Sequence, residues 1–135
     1  MLTQRTRYSM LALGKLAREY GNGPISIQEI AESEKIPKRF LEGILLDLKK
    51  NAFLGSRMGK NGGYFLQREP ESIQLLEIIR LFEGSIAFLA CTSIRCYQPC
   101  NHSKDEATCP IRNIFMDIRE SIILKLEATS VADLA

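Results

Sequence analysis

The stretch Ser26-Ile27-Gln28-Glu29-Ile30-Ala31-Glu32-Ser33-Glu34-Lys35-Ile36-Pro37-Lys38-Arg39-Phe40-Leu41-Glu42 decides the reading of this chain. Ser26 is placed to cap a helix, and Glu29 three residues on completes a capping box. Ile27, Ile30 and Ala31 give that helix one apolar side, and it should end near Lys35. Pro37 suits the first turn of a following helix because its fixed φ is already helical. Phe40, Leu41, Ile44, Leu45 and Leu48 line one face of the second helix, while Lys38, Arg39, Glu42, Lys49 and Lys50 mark its exposed side. Two short helices joined by a tight turn, the second opening on basic residues, form a helix-turn-helix pattern.

Working outward, the next segment predicts a β-hairpin. Phe53-Leu54-Gly55-Ser56-Arg57-Met58 and Tyr64-Phe65-Leu66-Gln67 read as strands around the tip Gly59-Lys60-Asn61-Gly62-Gly63, since Asn-Gly tolerates the positive φ such tips need. A hairpin after a helix-turn-helix is a wing. Upstream, Tyr8, Leu11, Leu13, Leu16, Ala17 and Tyr20 recur at helical spacing over about 6–20, stopped by Gly21-Asn22-Gly23-Pro24. Downstream, Ser72 is placed to cap a helix through Phe82 that Gly84 closes. A cysteine-bearing loop follows over 91–109. Pro110 then opens a long helix to about Glu127, carrying Ile111, Ile114, Phe115, Ile118, Ile122, Ile123 and Leu126, and Ser130-Val131-Ala132-Asp133-Leu134 makes a short capped turn. The fold expected is mainly α with a small β-hairpin: a winged helix-turn-helix over 1–68, and over 69–135 a linker helix, cysteine loop and dimerisation helix forming one compact unit with it. The apolar surface of the last long helix exceeds what so small a body covers, which predicts a two-fold homodimer.

The chain's length of 135 residues allows one domain. Net charge is +2, but its distribution is uneven. Residues 1–68 hold 12 Lys+Arg against 6 Asp+Glu, and residues 69–135 hold 6 against 10. The basic half predicts a polyanionic partner for the winged part alone. No apolar run reaches the ~20 residues of a spanning helix, and the first residues lack the apolar stretch of a secretory leader. A cytoplasmic location with no membrane partner is therefore the expectation. The absence of C-x-x-C and of a nucleotide-binding loop, with one histidine in a polar stretch, argues against an enzyme.

In order and spacing these segments resemble the IscR/NsrR/CymR family of bacterial winged-helix transcription regulators. The resemblance runs through Leu2-Thr3, Arg7-Tyr8, Ile27-Gln28-Glu29-Ile30-Ala31, Ile36-Pro37-Lys38-Arg39-Phe40-Leu41-Glu42 and Gly62-Gly63-Tyr64-Phe65-Leu66. It continues through Ile78-Ile79-Arg80-Leu81-Phe82-Glu83-Gly84, Cys109-Pro110-Ile111-Arg112 and the closing Ser130-Val131-Ala132-Asp133-Leu134. It implies a homodimeric repressor on palindromic double-stranded DNA, tuned in some members by a cysteine-ligated iron–sulfur cluster.

Lys38 and Arg39 lie where a recognition helix meets the major groove. Glu42, one turn on, is placed to accept from cytosine N4; the resemblance gives a Glu here a part in choosing between operator types. Arg57 and Lys60 bring charge to the wing, Gly62 and Gly63 permit close approach, and Arg5 and Arg7 are candidates for phosphate contact. One departure stands out. Where the resemblance leads to an Arg in the wing, this chain has Met58, with Arg57 one step early and therefore on the other strand face; Lys60 is the candidate replacement.

The cysteines read Cys91-x4-Cys96-x3-Cys100-x8-Cys109. Clustered thiolates in a chain without an export signal suit iron–sulfur or zinc chemistry. The resemblance implies a [2Fe-2S] or [4Fe-4S] cluster with Cys91 and Cys109 as outer ligands and Cys96 or Cys100 between them. Its two known fourth-ligand positions fall on Arg112 and Arg7, which leaves His102 or the spare cysteine. The alternatives are structural zinc, a thiol-oxidation sensor, free thiols without a metal cofactor, and a regulator that acts by binding a partner protein.

Overall fold

A computed structural model describes residues 2–102 and 105–135. Helix α1, Gln4–Arg18, starts at Thr3, whose hydroxyl accepts from the Thr6 N–H. Its inward stripe is Thr6, Ser9, Ala12, Leu13 and Leu16, while Leu11 and Tyr20, expected inside, are exposed. The stripe is rotated because two small hydroxyl residues are buried with their hydrogen bonds satisfied: Ser9 Oγ donates to the Thr6 carbonyl at 2.6 Å, and Thr6 Oγ1 to Glu83. A buried hydroxyl with a partner costs little.

Helix α2, Ile27–Glu34, is capped by Ser26, whose side chain accepts from the Glu29 N–H at 3.1 Å. Lys35 takes the left-handed conformation at φ 55, and the Ile36 N–H reaches back to the Ala31 carbonyl at 3.0 Å. This closes the turn before α3, Lys38–Lys50. Pro37 is the cap of α3 rather than its first residue. Leu41, Ile44, Leu45 and Leu48 are buried, but Phe40 is 50% exposed. It lies on the shoulder of the apolar face, 6.3 Å from the Tyr8 ring.

Strands β1, Leu54–Arg57, and β2, Gly63–Leu66, pair antiparallel, with Leu54 opposite Leu66 and Arg57 opposite Gly63. Ile25 adds a single-residue third strand, exchanging both backbone bonds with Tyr64 at 2.8 Å. Gly63 makes this approach possible. Its φ is 153°, and a Cβ there would stand 2.2 Å from the Ile25 carbonyl oxygen. The wing is thereby stitched to the segment that leads into α2.

Beyond the wing, Ser72 ends a 3-10 turn, Pro70–Ser72, and does not cap the next helix. The cap of α4, Leu75–Glu83, is Gln74, with Glu77 reaching back to its N–H at 3.0 Å. The shift arises because Ile73 is fully buried and holds Val131 of the tail through its carbonyl at 2.9 Å, so the chain is extended there. Gly84 ends α4 at φ 78. Helix α5, Pro110–Glu127, begins at Pro110 as the sequence predicts. Its apolar stripe is covered only in part: Phe115, Ile122, Ile123 and Leu126 are half-buried, Ile111, Ile114 and Ile118 are exposed, and the buried residue of the helix is Arg119. The tail turn, Val131–Leu134, carries the Ser130/Asp133 capping box and packs on α1. There a Cβ on Gly14 would meet the Leu134 carbonyl oxygen at 2.7 Å. One core joins α1, α2, α3 and the hairpin with Ile73, Ile78 and Val131. Among the described residues no helix is long and apolar enough to cross a membrane.

Candidate DNA interface and cysteine loop

Burial of Leu41, Ile44, Leu45 and Leu48 fixes the rotation of α3 and leaves Lys38, Arg39 and Glu42 exposed in its first turns. The helix N-terminus adds a partial positive charge to the same place. The Arg39 guanidinium lies 4.7 Å from the Phe40 ring centroid. Arg57 and Lys60 are exposed on the wing, Arg57 with its guanidinium 5.7 Å from the Phe65 ring. Gly62 and Gly63 are half-buried, and their constraint is internal: a Cβ on Gly62 would lie 2.2 Å from the Arg57 carbonyl oxygen.

The two arginines of α1 differ. Arg7 is exposed. Arg5 is ion-paired to Asp47 of α3 and sits 5.5 Å over the Phe82 ring, so it braces α1 against α3 and α4. Tyr8, Arg39 and Phe40 share a cleft between α1 and α3 with Gln4, Arg5 and Gly43. The spacing of Phe40 matches the apolar face, so the sequence carries no signal that this aromatic is exposed.

The cysteine loop folds around a pocket of about 380 Å³. Cys91, Cys100 and Cys109 line it together with His102, Glu106 and Arg112. Cys96 is exposed and not among the lining residues. Three cysteines lining one pocket are a donor set of the type that suits an iron–sulfur cluster or zinc. Among the described residues no three of His, Cys, Asp and Glu already stand in metal-binding geometry. Glu106 organises the pocket. It accepts from the Tyr97 hydroxyl at 2.6 Å and the Cys100 N–H at 3.4 Å, and faces Arg112 at 3.8 Å. Its hydrogen bond and charge push the Tyr97 phenol above its ordinary pKa. Arg112 in turn donates from Nε to the Cys91 carbonyl at 3.3 Å.

A further residue links this half to the winged part. Glu83, at the end of α4, accepts at Oε1 from the Thr3 N–H at 2.7 Å, the Thr3 hydroxyl at 2.8 Å and the Thr6 hydroxyl. These donors hold its carboxyl below the ordinary carboxylate range, the Thr6 hydroxyl contributing most. The sequence offers no signal for this role beyond the placement of Glu83 before Gly84, because its partners lie 77 and 80 residues away.

A family model described as Rrf2, an iron-dependent transcriptional regulator, matches residues 2–135. An HTH-type transcriptional regulator described as rrf2-like from Rhodobacter capsulatus is 39% identical over 137 residues, covering 99% of this chain and 91% of that protein. Among solved structures, CymR, the global cysteine regulator of B. subtilis, superposes with a TM-score of 0.84 at 27% identity, covering 100% of this chain and 95% of that one. IscR of T. potens gives 0.77 at 25% identity, covering 99% and 85%. These relatives are regulators, not enzymes.

Proposed function

The chain belongs to the Rrf2 family of transcriptional regulators, and on that premise we propose that it is a homodimeric, cytoplasmic repressor that binds a palindromic operator and responds to the state of its cysteine loop. The observation that carries the DNA assignment is the rotation of α3, which turns Lys38, Arg39 and Glu42 outward at its N-terminal end, with Arg57 and Lys60 exposed on the wing that follows. Lys38 and Arg39 supply phosphate and base-edge contacts, Glu42 selects at the base edge, Arg57 and Lys60 anchor the wing, and Arg7 reaches the backbone. Arg5, already paired, positions α1. The dimer reading is supported by α5, whose Ile111, Ile114 and Ile118 are left open to solvent. A second copy crossing that stripe covers it and sets two α3 helices at one helical-turn spacing.

Cys91, Cys100 and Cys109 would hold an iron–sulfur cluster, with His102 as the fourth ligand and Cys96 outside the set. When bound, such a cluster supplies a centre sensitive to oxidants, nitric oxide and iron supply. The chain's own residues carry the response onward. Arg112 ties the Cys91 backbone to α5, and residues 85–90 connect the loop to Glu83, whose grip on Thr3 and Thr6 fixes the start of α1. Movement of the loop thus reaches α1 and, through the Arg5–Asp47 pair, α3.

The test replaces Lys38 and Arg39 together by alanine. Binding to every duplex should weaken, and the slope of log K against log salt should flatten by about 0.9 for each phosphate no longer neutralised. Unchanged affinity at fixed salt defeats the assignment.

A further inference from the structure

The tip of the wing carries a side chain that the fold does not use. Met58 is 99% exposed and follows directly on Arg57, the last paired residue of β1. A lone surface methionine ordinarily needs no explanation. This one stands between two exposed cations, Arg57 and Lys60, on the wing. Gly59, at φ 108, and Gly62, with no Cβ to meet the Arg57 carbonyl, set the loop tightly behind it. Their tight turn leaves the thioether projecting away from the body.

An exposed apolar tip with cations close by in the chain fits a groove rimmed by anions that has apolar surface within reach. The minor groove of duplex DNA offers both: phosphates rim it, and behind the polar base edges of its floor lie the apolar faces of the stacked pairs. Methionine is unbranched and polarizable, suited to slipping into an irregular gap. Apolar side chains inserted from the minor groove partly unstack a base step and bend the duplex. An arginine in the same place reads groove width and potential instead. We propose that Met58 is a minor-groove wedge: it enters between base pairs at each flank of the bound site, partly unstacks one step, and makes this chain favour an easily kinked pyrimidine–purine step under each wing. The inference rests on the DNA-binding reading above, but it concerns deformation of the duplex, which phosphate contacts do not require.

The 135-residue chain is used to select duplexes from a random-sequence library, and 2-aminopurine is then placed at successive positions across the flanks of a selected duplex. Binding of the wild type and of Met58→Leu should raise the fluorescence at one step under each wing. Met58→Ala should lose the rise and bind about ten-fold more weakly, the cost of leaving roughly half an apolar side chain unburied. Its salt slope should match the wild type, because no phosphate contact is removed. The variant should melt with the wild type, since the side chain touches no core. If Met58→Ala keeps both the affinity and the fluorescence rise, the wedge is wrong and the DNA reading stands. If the wild type enriches no duplex at all, both fall.

Discussion

Removing the carboxylate of Glu83 should weaken the fold in a pH-dependent way. Its Oε1 collects three donors from the first turn of α1. Of these, Thr6 is fully buried and Thr3 is exposed. A hydrogen bond to a charged acceptor contributes roughly 1.5–3 kcal/mol where water cannot replace it. Water does replace the exposed Thr3 partners, so most of the loss comes from Thr6, and Glu83→Ala should cost about 2 kcal/mol. For a chain of this size that lowers Tm by roughly 6–8 °C. Glu83→Gln keeps an acceptor but no charge, and should cost about half as much. The folded-state pKa is depressed. The charged form therefore stabilises the fold fully above the unfolded value of ~4.3 and ceases to do so as pH falls through the lower folded value. The gap between wild type and Glu83→Gln should thus be open at neutral pH and close as pH falls below the unfolded carboxylate value and through the lower folded one. Urea unfolding at matched protein concentration, followed by circular dichroism across that range, measures it. A gap that is absent at neutral pH, or that persists unchanged in acid, refutes the reasoning.

Gly63→Ala should destabilise the wing by at least ~2 kcal/mol, through backbone overlap with Ile25 and an unfavourable φ; hydrogen exchange at Ile25 and Tyr64 should accelerate while that of α5 does not. Anaerobically expressed Cys100→Ser should lose the visible absorbance and iron of the wild type, and Cys96→Ser should keep both; equal loss from the two would place Cys96 among the ligands. Ile114→Glu should shift the species seen by sedimentation from dimer towards monomer, since a buried unpaired charge in that stripe is costly; an unchanged mass would move the interface elsewhere.

How far the fold is legible in the sequence follows from how local each signal is. Ser26, Pro37, Gly84 and Pro110 act on their neighbours, and the elements they bound stand where their chemistry puts them. Gly62-Gly63 announces a hairpin for the same reason, although the partner that makes Gly63 necessary, Ile25, is remote. Thr6 and Ser9 look like surface residues until distant Glu83 and a backbone carbonyl satisfy them. Phe40 and Ile114 show the reverse. Spacing marks both as apolar-face residues, yet one lies on a basic surface and the other opens to solvent, because periodicity gives a direction on a helix and not what lies opposite. Gln74 displaces Ser72 as the cap of α4 because the tail draws this segment into a bridge. In the cysteine loop spacing leaves Cys96 and Cys100 equivalent, and only the three-dimensional path brings Cys100 to the pocket of Cys91 and Cys109.

The seal that the tail turn forms over α1 has a consequence for biosynthesis. Val131 is fully buried in the same core as Leu13, Leu41 and Leu54, and the Leu134 backbone rests against Gly14. The nucleic-acid reader therefore lacks its lid until residues 131–134 emerge from the ribosome. A nascent chain holding every residue of the helix-turn-helix and wing still exposes part of its interior, so the core of that motif is completed by a stretch more than sixty residues downstream of it.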